Sequence, residues 1–134
     1  MKSLDYAVIC KSDNNNCTVQ AISKALNVSM EEAYMAMEVE GRKHGTGAAM
    51  YQVKWAVEAL GGKIEEIKSH VFHLEMKHRH TMTVNNICEY LWEGRYIMAT
   101  IDHCYAMLHG TVDDWCADSK AQVHTIYKVV GGVR

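Results

Sequence analysis

Cys17, His103 and Asp114 are the residue types that together make an activated thiol nucleophile, and each lies in a segment suited to hold it. The run Asp13-Asn14-Asn15-Asn16 is polar and turn-prone, and a helical pattern begins at Cys17-Thr18-Val19-Gln20-Ala21-Ile22. A cysteine that opens a helix places its sulfur where the helix dipole favours negative charge, and the thiolate is the reactive form of cysteine. The simpler role for such a residue is packing, because cysteine is among the most buried residue types and an Asn run is an ordinary helix entry.

The other two groups fall on a predicted hairpin. His103 to Trp115 reads as two strands around a tight turn at His109-Gly110. With those residues in the turn, Leu108 faces Thr111, Met107 faces Val112, Tyr105 faces Asp114 and His103 faces Cys116. Alternation then puts His103, Tyr105, Asp114 and Cys116 on one side and Asp113 on the other. His103 and Asp114 become diagonal neighbours, roughly 7–8 Å apart between backbones and within reach of a side-chain hydrogen bond. A one-residue change in turn length exchanges Asp114 for Asp113. In such a set the imidazole takes the thiol proton, and the carboxylate orients the ring and steadies the imidazolium. His109 reads as a solvated turn residue and not as the base.

Other chemistries fit less well. His78-Arg79-His80 alternates as a strand would, but no Cys or His partner stands at finger or HExxH spacing, so no metal is expected. The loop Gly41-Arg42-Lys43-His44-Gly45-Thr46-Gly47 lacks the GxxxxGK[ST] order of a phosphate cradle and reads as a surface loop near a site. No cofactor is implied.

The elements that must position these residues can be read from periodicity. The 134 residues, 49% hydrophobic and 22% charged, fit one domain with one core, so 1–134 is treated as a single unit. A net charge of −2 gives no footprint for nucleic acid, and no apolar run reaches the length of a membrane span. Five cysteines without a CxxC pair, and no targeting signal, lead us to expect a reduced, cytoplasmic setting. Oligomeric state is left open. Helices are predicted over 17–26, from a Ser29 capping box to Gly41, from Met50 to the Gly61-Gly62 stop, and from Thr83 to Glu93-Gly94. Strand patterns occupy 6–10, 63–67, 95–101, 104–108 and 124–130. Helices first and strands later predict an α+β domain with an antiparallel sheet.

At this point the residues carry a resemblance. Asn15-Asn16-Cys17-Thr18-Val19-Gln20-Ala21 resembles the N-D-C-T-V-R-A signature of small papain-like cysteine peptidases, many encoded by bacteriophages or found in bacteria and loosely related to bacteriocin-processing peptidases. The similarity continues through Glu40-Gly41-Arg42-Lys43, the Gly45-Thr46-Gly47 loop, Gly94-Arg95-Tyr96-Ile97 and His103-x-x-Ala106-x-x-x-Gly110-x-x-x-Asp114. It spans almost the whole chain.

The resemblance implies a compact papain-like fold, with Cys17 as nucleophile, His103 as base and Asp114 as orienting acid. It implies a protein or peptide substrate in the cytoplasm of a bacterial or phage-infected cell, with hydrolysis and transfer to an amine both open. Asn16 replaces the signature Asp, Gln20 the frequent Arg, and Cys104 the small residue that usually follows the histidine. Related peptidases place an oxyanion-stabilising glutamine about six residues before the cysteine, where this chain has Lys11. The Cys17 N–H with a side-chain amide from Asn14, Asn15 or Asn16, Asn15 first among them, is the expected substitute. The alternative function is a non-enzymatic binding module that engages a host or viral protein through its surface.

Overall fold

The computed structural model describes residues 16–67, 93–100, 103–109, 111–113, 123 and 125–134. The strand expected over 6–10, the helix expected from Thr83, and His78 and His80 lie outside the described residues. So do two of the candidate site residues, Asn15 and Asp114.

Among the described residues three helices come first: α1 (Cys17–Leu26), α2 (Met30–Val39) and α3 (Met50–Ala59). Local chemistry sets their ends. Asn27 closes α1 in the left-handed region at φ 54, a conformation Asn tolerates better than most residues. The Ser29 hydroxyl accepts from the Glu32 N–H at 3.1 Å and starts α2. At α3, the Gln52 side chain accepts from the Ala49 N–H at 2.8 Å and donates to the Glu40 carbonyl at 2.9 Å, which ties the start of α3 to the end of α2. Gly61, at φ 88, stops α3 as its sequence predicts.

Five strands follow among the described residues: β1 (Lys63–Glu66), β2 (Arg95–Ala99), β3 (Cys104–Leu108), β4 (Thr111–Asp113) and β5 (Thr125–Gly131). They form one antiparallel sheet in the order β1-β5-β2-β3-β4, so the last strand inserts between the first two. The domain is α+β. No helix among the described residues is long and apolar enough to cross a membrane.

The helices pack on one face of the sheet. There Ile97, Cys104, Ala106, Tyr127 and Val129 join Val19, Ile22, Leu26, Met37, Val53 and Val57 in a single core. Full burial of Ile22 or Leu26 stabilises the fold by about 1.5–3 kcal/mol each. The opposite face, with Tyr96, Met98, Tyr105, Met107 and Ile126, is buried as well. Two buried faces explain why β2 and β3 read as unbroken apolar runs without alternation. Burial, with the Glu93 carboxylate second, pushes the Tyr96 phenol above its ordinary 10.0.

The carboxyl-terminal end of α1 is tied to the sheet twice. Arg95, at the start of β2, donates to the carbonyls of Lys24 and Ala25 at 3.1 and 3.4 Å. Beyond β5, the Arg134 N–H donates to the Leu26 carbonyl at 2.9 Å and its own carbonyl accepts from the Asn27 amide at 2.8 Å. The Arg134 guanidinium also pairs with Glu32 and reaches the Leu60 carbonyl. Near this end Gly132 lies against Gly62; a Cβ on Gly132 would stand 2.1 Å from the Gly62 Cα.

Gly132 therefore has two reasons to be glycine, a φ of +81 and a backbone neighbour that cannot yield. Gly132→Ala is expected to lower stability by about 2–4 kcal/mol in denaturant unfolding, the sum of left-handed strain and overpacking. Gly45→Ala, at φ +75 with nothing within 4 Å of the added carbon, isolates the strain alone and costs about 1–2 kcal/mol. Equal losses in the two variants would refute the close backbone contact.

The Arg134 hydrogen bond holds the Glu32 carboxyl below its ordinary value of 4.5. The lower value belongs to the folded state, so the pair contributes above pH 4.5 and its contribution fades as pH falls through the folded-state value. The protection of the Arg134 amide, its exchange rate compared with that of an unstructured amide at the same pH, should fall on acidification through that range, and Glu32→Gln should remove this dependence. An Arg134 amide whose exchange shows no Glu32-dependent step would remove the tether.

Candidate active site

Cys17 is the first residue of α1 and is half-buried, packed against the helix-side core. The residue before it does not cap the helix. Asn16 has φ −112 and ψ 28, and its Oδ1 accepts from the Gln20 Nε2 at 2.7 Å instead of from a first-turn N–H. No acidic residue lies in the first turn. Among the described residues, the positive end of the helix thus has neither a first-turn carboxylate nor an Asn16 cap beside the Cys17 thiol.

The position of that end follows from the anchoring of the other. Arg95 pairs with Leu108 and Val129, so the Lys24–Leu26 end of α1 lies over the row Leu108, Arg95 and Val129. A helix covers about 13 Å between its first and tenth residues, and five strand residues cover about the same. The α1 side chains pack down the strands onto Ile97, Ala106 and Cys104. The amino-terminal end of α1 therefore lies toward the Ala99–Cys104 end of the β2–β3 pair.

His103 stands at that end, immediately before β3. Its carbonyl accepts from the Thr100 N–H at 2.8 Å and, less closely, from the Thr100 hydroxyl at 3.4 Å, which fixes the backbone across the connection. Its half-buried ring stacks on Tyr105, with centroids 5.7 Å apart and planes 25° from parallel. Cys104 and Ala106 face the helices, whereas Tyr105 and Met107 belong to the opposite face. His103 thus stands at the end of the β2–β3 pair toward which the start of α1 points.

The hairpin has the expected register. Leu108 pairs with Thr111, Met107 with Val112, and Ala106 with Asp113. The pairing of Asp114 with Tyr105, and so the choice of Asp114 as third member, concerns a residue outside the described ones. The same holds for Asn15 as oxyanion donor. His109 is the exposed turn residue it was expected to be, at φ 51, with its N–H donating to the Gly94 carbonyl at 2.8 Å.

The Gly41–Gly47 loop differs from its surface reading at one residue. Arg42 is only 4% exposed, and its guanidinium lies 5.6 Å from the centre of the Tyr34 ring. The Tyr34 hydroxyl and His44 Nδ1 are 3.0 Å apart. The sequence signal was Tyr34 on the apolar stripe of α2, since a buried tyrosine needs a partner for its polar tip. Among the described residues no group of three His, Cys, Asp or Glu is arranged to hold a metal ion. A shallow depression along β1, lined by Glu58, Lys63, Ile64, Glu65 and Val130, contains none of the candidate catalytic residues.

No known family model, curated protein or solved structure matches this chain.

Thr18, next to the thiol, is 2% exposed, and its Oγ1 has no hydrogen-bond partner among the described residues. Thr18→Val keeps the shape and deletes that hydroxyl, so stability should hold or rise within about 1 kcal/mol. A loss above about 2 kcal/mol on thermal unfolding would mean that the hydroxyl has a partner after all.

Proposed function

We propose that this chain is a thiol hydrolase with a papain-like arrangement, a cysteine peptidase or isopeptidase whose nucleophile is Cys17. The observation that carries the reading is a helix that opens at Cys17, with no acidic residue in its first turn, and that points by this start toward the end of the sheet where His103 stands. The spacing of Asp114 after the His109-Gly110 turn supports its role as the carboxylate that orients His103.

In this mechanism the His103 imidazole takes the Cys17 proton, and the thiolate attacks a substrate carbonyl. The tetrahedral oxyanion is met by the Cys17 N–H at the helix start and by a side-chain amide of the Asn run, Asn15 in the first instance. Collapse breaks the carbonyl–nitrogen bond, and the imidazolium returns its proton to the leaving amine. Water, deprotonated by His103, then opens the thioester and restores the thiol. An amine in place of water gives transfer by the same steps. The substrate is a protein or peptide, the setting the cytoplasm of a bacterial or phage-infected cell, and neither nucleic acid nor a membrane takes part. An edge-to-face pair exposed on α3, Tyr51 and Trp55 at 5.3 Å between centroids, favours the second reading, a non-enzymatic module that binds a host or viral protein.

The rate of Cys17 alkylation by iodoacetamide against pH, read peptide by peptide in the intact protein, separates the two. The hydrolase reading expects thiolate reactivity well below the ordinary thiol range of about 8.5, lost in His103→Ala. A profile that follows an ordinary thiol and ignores His103 would leave Cys17 as packing and favour the module. Once a substrate is found, Cys17→Ala should abolish turnover; a fully active variant would end the hydrolase reading.

A further inference from the structure

We infer that the solvent side of the α2–α3 pair is a docking surface for a basic amphipathic helix of a partner protein. The inference rests on the protein-binding reading above and uses no group of the Cys17 site. It begins with how the two helices are aligned. Gln52, in the first turn of α3, donates to the carbonyl of Glu40 just beyond α2. At the other end Arg134 pairs with Glu32, in the first turn of α2, and donates to the carbonyl of Leu60 just beyond α3. The helices are therefore antiparallel, with Glu40 level with Gln52 and Glu32 level with Leu60. In that register Trp55 is level with Met37, between Met35 and Val39, and Tyr51 lies one turn further on.

Met35 and Val39 are one turn apart on α2, as Tyr51 and Trp55 are on α3. Around the helices, Met35 and Val39 fall beside Glu32 and Trp55 falls beside Gln52, away from the core residues Ala33, Met37, Val53 and Val57. Both pairs thus border the seam between the helices on its outer side and make one apolar strip. Val39 is 79% exposed, and Met35, Tyr51 and Trp55 are each about half exposed. The Tyr51 and Trp55 rings meet edge to face at 5.3 Å, so each limits the freedom of the other before any partner arrives. Rigid aromatic anchors beside an adaptable methionine are the residue types that dominate binding surfaces.

Size and charge select the occupant. Half-exposed rings show about 100 Å² each, which puts the strip on the order of 400 Å². A stable contact between two globular copies needs roughly 800 Å² on each, whereas a single helix laid along a groove is held by a few anchors on one stripe. α2 carries Glu31, Glu32 and Glu38 and no basic residue, and α3 adds one charge of each sign, Lys54 and Glu58. Two copies placed strip to strip would bring two acidic faces together. Lysine or arginine on the polar face of a partner helix is attracted instead.

The probe is a synthetic peptide of about 18 residues, leucine along one helical face and lysine on the rest, beside a twin with glutamate for lysine. Binding to the full chain is read by anisotropy of the labelled peptide and located by amide NMR shifts. The lysine peptide should bind at least about tenfold more tightly than its twin, with shifts concentrated in α2 and α3. Trp55→Ser and Val39→Ser should each weaken it about three- to thirtyfold, and Glu31→Lys about threefold. These side chains lie outside the core, and circular dichroism checks that each variant keeps its fold.

Equal binding of the twin, shifts centred elsewhere, or no binding would overturn the proposal. Self-association in sedimentation that Trp55→Ser abolishes would assign the strip to a second copy and overturn it too. The Cys17 alkylation profile tests the protein-binding reading separately, so a peptide that fails to bind strikes the strip alone.

Discussion

The docking of α1 by its carboxyl-terminal end is the constraint from which the rest of the arrangement follows. Carbonyls in the last turn of a helix have no intrahelical donors, and a cation there also meets the negative end of the dipole. Arg95 answers both needs at Lys24 and Ala25, and the Arg134 backbone answers one more at Leu26. Because Arg95 begins β2 and Arg134 follows β5, the two antiparallel strands bring both anchors to one end of the sheet. With that end fixed, the length of the helix leaves only one place for Cys17. The position of the Cys17 end is thus set from about 13 Å away, by Arg95 and Arg134.

Burial of the sheet on both faces shapes the neighbourhood of His103. In a sheet with one wet face, a residue on the solvent side of β3 would find water. Here the side away from the helices is filled by Tyr96, Met98, Tyr105 and Met107, so a ring directed to it lies against another ring.

Much of this was legible in the chain because it depends on neighbours in sequence. The span of α1, its Asn27 stop, the Ser29 cap, the Gly61 stop and the two-residue turn at His109-Gly110 are each decided within a few residues. What depends on distant segments was not legible. Nothing local says that β5 inserts between β1 and β2, because that order is set by which edges remain open once the helices cover a face. Nor could composition show that Arg42 is buried over Tyr34, since a basic residue between glycines reads as loop until the ring it covers is known. The Gly62 and Gly132 contact was hidden for the same reason: each glycine alone looks like a turn residue, and only their crossing makes the missing side chains a packing requirement. At the site, the residue types and the hairpin register were readable, whereas the stack of His103 on Tyr105 needed to be seen, because an aromatic two residues along a strand is equally at home in any core.

The start of α1 shows how stability and reactivity can be set against each other in one turn. A side-chain cap would contribute about 0.5–2 kcal/mol to the helix, and a carboxylate in the first turn about 0.3–1 kcal/mol more. Among the described residues neither is present, and the Asn16 side chain, which has the right chemistry to cap, is held by Gln20 instead. The helix can do without them because six of its ten residues are buried in the core. Burial of Ile22 and Leu26 alone exceeds what the missing cap would add. A carboxylate or cap at this place would occupy the N–H groups and offset the dipole that a thiolate needs. The core thus stabilises the helix from one side, while its first turn holds no acidic residue and no Asn16 cap.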